Sequence, residues 1–114
     1  AKAQVFVKGE KEPLKFCSVK DGFVYVLQPE NAKRTVAFWV SDFGNKKDIP
    51  LHEKMLLAQK AFFNAGSDVR GAMGKSILPF ATKEEVQAFT KEHGGTIVNY
   101  SEVNLGLLKS LKGH

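Results

Sequence analysis

The chain has little sulfur, little arginine and no long apolar segment. Its one cysteine, Cys17, excludes an internal disulfide and any metal cage built from cysteines alone. Only Arg34 and Arg70 are arginines among the 17 basic residues. Base and phosphate recognition relies on arginine, so no nucleic-acid partner is predicted. No apolar run approaches the ~20 residues that cross a bilayer, so no transmembrane helix is predicted either.

The residues that are present are typical of one globular domain. Of the 114 residues, 43% are hydrophobic and 25% are charged, and the formal net charge is +5. Lysines are scattered among acidic residues, which is the pattern of an ordinary solvated surface rather than of a basic binding stripe. The chain starts at Ala1 without methionine or a signal sequence, and we interpret it as a processed or truncated product.

The pattern of apolar residues indicates the order strand, strand, helix, strand, and this order occurs twice. In the first half, alternating or β-branched runs predict strands, and a helix starts at the Ser18 cap and ends near Pro29. In the second half the helix starts at Thr82, with Glu85 completing a capping box, and ends at Gly94. The predicted strands of the two halves are 3–7, 14–17 and 34–40, then 58–63, 76–80 and 96–100, with a turn at 64–68.

This repeat predicts an α+β fold in which two ββαβ units pack on one another, with mainly antiparallel sheets and a short C-terminal helix. Each unit alone would bury too little apolar surface to be stable, so the units are expected to share one compact domain. The predicted division is a first unit at 1–45, a linker at 46–57, a second unit at 58–103 and a tail helix at 104–114.

Catalytic chemistry finds no support in the sequence. The three histidines, at positions 52, 93 and 114, are not at metal-ligand spacing, and no nucleophile elbow or phosphate-binding loop is present. The acidic pair Glu84 and Glu85 stands in a first helical turn, where it stabilises the helix dipole. Cys17 follows Phe16 in an alternating strand, which predicts a buried, inert thiol. We therefore predict that the protein is not an enzyme.

Met73 is the unusual residue, because it lies between Gly71-Ala72 and Gly74. Methionine commonly fills gaps in a core, and on these residues alone that interpretation is favoured. A thioether presented on a glycine-rich turn is also a suitable ligand for a soft metal, chiefly Cu(I). Both interpretations stay open at this point.

The sequence resembles the NosL family of periplasmic lipoproteins linked to copper delivery. The resemblance covers 3 to about 103 and is most specific in the second half. It is carried by Gly66-Ser67-Asp68-Val69, Gly71-Ala72-Met73-Gly74, Ile77-Leu78-Pro79-Phe80-Ala81, Ala88-Phe89 and His93-Gly94-Gly95, and in the first half by Ala3-Gln4, Phe16-Cys17-Ser18-Val19, Asp21 and Val40-Ser41-Asp42-Phe43. The family's fold of two ββαβ units, related to that of organomercurial lyase, agrees with the repeat.

The resemblance implies a Cu(I)-binding accessory protein, or metallochaperone, that delivers copper to nitrous oxide reductase or to another copper-handling protein. It places Met73 at the position of one family ligand. In the family, a Cys-Gly-Met motif and a lipid-anchored cysteine precede the segment that matches Ala3-Gln4. The 114 residues of the sequence contain neither feature. The implied location is periplasmic, with the membrane reached only through that N-terminal lipid.

Two other hypotheses stand beside this one. The first is a metal-free interaction module that docks a partner protein with its basic surface and aromatics, with Phe38, Trp39, Phe62 and Phe63 as candidates. Alternating strands place such aromatics more often in a core. The second is a lyase-like enzyme, which rests on analogy of fold alone.

Overall fold

The computed structural model describes residues 2–44, 55–71 and 74–111. Its strands are β1 (Ala3–Val7), β2 (Leu14–Phe16), β3 (Thr35–Ser41), β4 (Met55–Leu57), β5 (Phe62–Gly71), β6 (Gly74–Phe80) and β7 (Thr96–Asn99). Its α-helices are α1 (Val19–Val26), α2 (Pro29–Arg34), α3 (Lys83–His93) and α4 (Leu105–Ser110). Short 3-10 turns occupy Ala58–Lys60 and Tyr100–Glu102.

The strands form two antiparallel sheets with the same internal order. The first sheet has the order β2-β1-β3-β4 and the second has the order β6-β5-β7. In each sheet, the first strand of the unit is central. In the first unit β1 lies between β2 and β3, and in the second unit β5 lies between β6 and β7. The predicted α+β fold with two ββαβ units and a short C-terminal helix is confirmed. The proposed division of the chain into four segments stays a prediction.

Two elements of the first half were not predicted. Residues 55–57 were read as irregular linker, but they form β4, in which Met55 pairs with Ser41 on β3. Three apolar residues carry no periodic signal, and the strand exists because the edge of β3 offers hydrogen-bonding groups. The second is α2, which has Pro29 in its first turn with Glu30, and Lys33 and Arg34 in its last turn. These charges favour the helix through its dipole.

The turn that was predicted at 64–68 is wrong, because β5 passes through this segment. Its pairing with β6 is interrupted by a register shift between Ala65 and Arg70 and then resumes. Gly66 has φ +81°, a conformation that glycine adopts without steric cost. The turn residues therefore mark a bulge inside a strand rather than the end of one. The start of the predicted strand at 58–63 is likewise a 3-10 turn, and β5 begins at Phe62.

Phe23 on α1 joins the two units in a common core. Its ring centroid lies 5.0 Å from that of Phe38 on β3 and 5.2 Å from that of Phe63 on β5, both in edge-to-face geometry. All three side chains are fully buried. Tyr100 completes the cluster at 5.6 Å from Phe23, and burial raises the pKa of its hydroxyl above the usual 10.0. One helix therefore holds both sheets.

A second apolar cluster lies under α3. Val86 is fully buried against Leu78 and Phe80 of β6, and half-buried neighbours close the cluster. The rings of Phe80 and Phe89 have centroids 5.1 Å apart, and Phe43 contacts both. This packing fixes α3 against the β5–β6 hairpin, which brackets the candidate ligand Met73 in the sequence.

Candidate functional site

Met73, the residue predicted to bind copper, lies outside the described residues. The strands on either side of it are described up to the pair Gly71 and Gly74, and the preceding pair is Arg70 with Lys75. Its role as a ligand stays a prediction. What the structure does resolve is how the hairpin that brackets Met73 is held in place.

The base of this hairpin is tied to the C-terminal end of α3. The Asp68 carboxylate Oδ1 lies 2.9 Å from His93 Nδ1. The imidazole also stacks on the Phe89 ring, with centroids 4.5 Å apart. A basic residue at this end of α3 also interacts favourably with the helix dipole. The contact of His93 with Asp68 adds a tertiary link, because the two residues are 25 positions apart in sequence.

Asn64 makes a second link between β5 and α3. Its side chain is fully buried, and its Nδ2 donates to Thr90 Oγ1 at 2.8 Å and to the Gly94 carbonyl at 2.9 Å. The adjacent Gly95 has φ +94°, and a Cβ there would meet Asn64 Oδ1 at 2.8 Å and the Ala65 carbonyl at 2.9 Å. Only glycine fits this close approach without displacing the strand.

These contacts bring together two sequence segments on which the resemblance rests. The Gly66-Ser67-Asp68 segment forms the bulge, where Ser67 is buried and its Oγ accepts a hydrogen bond from the Val69 N–H at 3.2 Å. The His93-Gly94-Gly95 segment ends α3 directly beside it. Sequence reasoning identified both segments but assigned them only turn and capping roles. Their shared role is to position the hairpin.

The prediction for Cys17 is wrong, because this thiol is exposed. Cys17 directly follows β2, which is an edge strand of the first sheet. Phe16 before it is half-buried and packs on Tyr25, with ring centroids 5.7 Å apart. Successive side chains of a strand point to opposite faces, so a half-buried Phe16 favours an outward-pointing Cys17.

The remaining candidates have structural roles or lie outside the described residues. The Thr82 hydroxyl accepts from the Glu85 N–H at 3.2 Å and donates to its carboxylate at 3.0 Å, which explains the acidic start of α3. The histidines at 52 and 114 lie in undescribed segments. Within 2–44, 55–71 and 74–111, no three His, Cys, Asp or Glu residues are grouped to hold a metal.

The aromatics proposed for a metal-free docking surface divide into two pairs. Phe38 and Phe63 have 0% exposure and belong to the core. Trp39 and Phe62 are half-buried. Two of the four candidates are therefore not available to a partner. Separately, no helix in the described part of the chain is long and apolar enough to span a membrane.

The α+β fold of two ββαβ units is also found in a solved copper chaperone. The crystal structure of the copper chaperone NosL from Shewanella denitrificans superposes with a TM-score of 0.84, at 28% identity, over 92% of this chain and 79% of that one. The sequence profile of the NosL family matches residues 1–108. The chain belongs to the NosL family.

Two curated relatives agree with this membership. The copper-binding lipoprotein NosL of Achromobacter cycloclastes is 33% identical over 106 residues, which is 90% of this chain and 55% of that protein. The protein of the same name from Stutzerimonas stutzeri is 31% identical over 96 residues, or 83% of this chain and 50% of that protein. This chain therefore spans about half the length of the curated relatives it matches.

Proposed function

We propose that this protein binds Cu(I) and passes it to nitrous oxide reductase or to another copper-handling protein, without catalysing a reaction. The observation that carries the proposal is its membership of the NosL family over residues 1–108, together with relatives named copper-binding lipoproteins. Copper is the cargo in this role, so the site must release the ion as readily as it accepts it. By the same kinship, we infer a periplasmic lipoprotein held to the membrane by an N-terminal lipid.

In this proposal Met73 is a copper ligand. Thioether sulfur prefers Cu(I) over harder divalent ions, and it binds as a neutral ligand that exchanges readily. The hairpin that brackets Met73 is tied to α3 by the Asp68–His93 contact and by the Asn64 hydrogen bonds. These contacts hold the described part of β5 against α3.

The experiment is a Cu(I) competition titration against a chromophoric chelator under anaerobic conditions. It is run on this chain and on one extended at its N-terminus by the Cys-Gly-Met segment typical of the family. We expect the extended chain to bind Cu(I) more tightly, and Met73→Leu, which keeps the apolar volume but removes the sulfur, to weaken that binding at least tenfold. Val36→Leu is the control, because Val36 is 69% exposed and carries no ligand atom.

Two outcomes would contradict the proposal. One is that neither chain competes for Cu(I). The other is that Met73→Leu in the extended chain binds as tightly as the parent. Steep salt dependence of partner binding, unaffected by copper chelators, would instead favour the metal-free interaction module.

A further inference from the structure

A cavity of about 340 Å³ lies between α1 and α4. Its lining consists of Lys20, Asp21, Val24, Gln28, Leu105, Leu108 and Lys109. On α1, Lys20 and Val24 are four residues apart and therefore lie in one row, which Gln28 continues just beyond the helix. None of the three is among the buried residues of α1. At 1.5 Å per residue this row is about 12 Å long, so the cavity is an elongated slot on the outer side of the helix.

Apolar side chains in the slot are partly open to solvent. Val24 on α1 is 41% exposed and Leu105 on α4 is 38% exposed, whereas Leu108 is buried. A ligand that covers the two exposed side chains gains about 25 cal/mol for each Å² of apolar surface that it removes from water. Cavities of this size, with an apolar lining and a few polar groups, are typical of small-molecule sites.

The charged lining residues determine which head group the slot favours. Lys20 comes from α1 and Lys109 from α4, so both walls supply an ammonium group. Asp21 also lines the slot, and two lysines against one aspartate leave the lining net positive. The whole chain has a formal net charge of +5. An anionic head group is therefore favoured over a cationic one.

We propose that this slot binds a single-chain amphipathic anion, a free fatty carboxylate, with its alkyl chain on Val24 and Leu105 and its carboxylate near Lys109. An amphipathic helix of a partner protein fits less well. Such helices dock through anchors spread from i to i+7, about 10 Å, whereas the wall on α4 extends only from Leu105 to Lys109, about 6 Å. The site shares no residue with the Met73 hairpin and does not depend on copper.

The test is a titration of the isotope-labelled 114-residue chain with sodium decanoate, followed by the NMR chemical shifts of the backbone amides. We expect saturable shifts on α1 and α4. Decyltrimethylammonium has the same chain length and the opposite charge, and it should bind about tenfold more weakly. Sodium acetate, which lacks the alkyl chain, should give no saturable shifts on these helices.

Two variants test the two parts of the ligand. Lys109→Gln should weaken decanoate binding about threefold, as expected for one exposed ion pair, and Lys83→Gln on the exposed side of α3 is its matched control. Val24→Ser should weaken binding about fivefold by removing apolar surface. Its control is Val36→Ser, because Val36 is 69% exposed and does not line the slot. Circular dichroism checks that each variant is folded.

The inference is overturned if decanoate gives no saturable shifts on α1 and α4, or if decyltrimethylammonium binds as tightly. It is also overturned if Lys109→Gln and Val24→Ser both bind decanoate like the parent chain. Shifts that occur with phosphatidylglycerol vesicles but not with decanoate would assign the slot to a membrane-contacting surface instead. Copper is absent from all of these titrations, so no outcome bears on the proposed function.

Discussion

Truncation of Phe23 to alanine tests whether the two ββαβ units share one core. The ring has no exposed surface and contacts Phe38, Phe63 and Tyr100 at centroid distances of 5.0, 5.2 and 5.6 Å. Replacing a buried phenylalanine with alanine typically costs about 3–5 kcal/mol, which combines lost transfer energy with the cavity left behind. A domain of this size has a free energy of unfolding of roughly 5–15 kcal/mol, so the loss is a large fraction of the total.

The assay is thermal and urea unfolding followed by far-UV and near-UV circular dichroism. At this chain length, about 4 °C of Tm corresponds to 1 kcal/mol, so Phe23→Ala should lower Tm by about 12–20 °C. Phe38 and Phe63 belong to different sheets, and the substitution removes the Phe23 ring that both of them contact. The two signals should therefore still coincide in one cooperative transition. Val36→Ala is the control, because Val36 is 69% exposed, and it should change Tm by only a few degrees.

Two results would refute this reasoning. A loss of less than about 1 kcal/mol would mean that Phe23 is not the central contact that its ring geometry indicates. Two separated transitions in the parent chain would mean that the units unfold independently, and that the shared core does not couple them.

Three further predictions address the hairpin support, the helix cap and the buried tyrosine. Gly95→Ala should lower the unfolding free energy by about 1–3 kcal/mol in urea titration, because it places a Cβ 2.8 Å from Asn64 Oδ1 at φ +94°; an unchanged midpoint would contradict the close approach. Thr82→Ala should cost about 1 kcal/mol by removing the cap of α3, whereas Thr82→Ser should restore most of it. Because the pKa of Tyr100 is raised in the folded state, its neutral form contributes stability that is present below pH 10 and is lost as the pH rises through the folded pKa. Tyr100→Phe should therefore flatten the fall in stability above pH 10, and an identical pH profile in both chains would exclude this linkage.

The sequence predicted the repeated elements because their signals are local. The caps of α1 and α3 are Ser18 and Thr82, and each hydroxyl accepts from the N–H three residues on. The α+β class followed from this order of elements, and the resemblance to the NosL family followed from short motifs. Family membership is confirmed over residues 1–108.

The errors occur where a tertiary partner decides the local structure. Met55 belongs to a strand only because Ser41 on β3 pairs with it. The residues at 64–68 have the composition of a turn, yet β5 continues through a bulge because β6 pairs with it on both sides. Cys17 is exposed next to an edge strand, and the prediction of a buried thiol overlooked that the residue after the half-buried Phe16 belongs on the opposite face.

The same distinction between local signals and tertiary contacts applies to the candidate sites. The sequence by itself determined which ligand types exist, namely one thiol and two thioethers, and it identified Met73 by its glycine neighbours. Only the tertiary structure decided that Val24 and Leu105 line one cavity, and that Asp68 meets His93 at the base of the hairpin. The physical reason is that ligand chemistry is a property of a single side chain. Proximity between distant residues is set by strand register and by the core around Phe23, which no local pattern encodes.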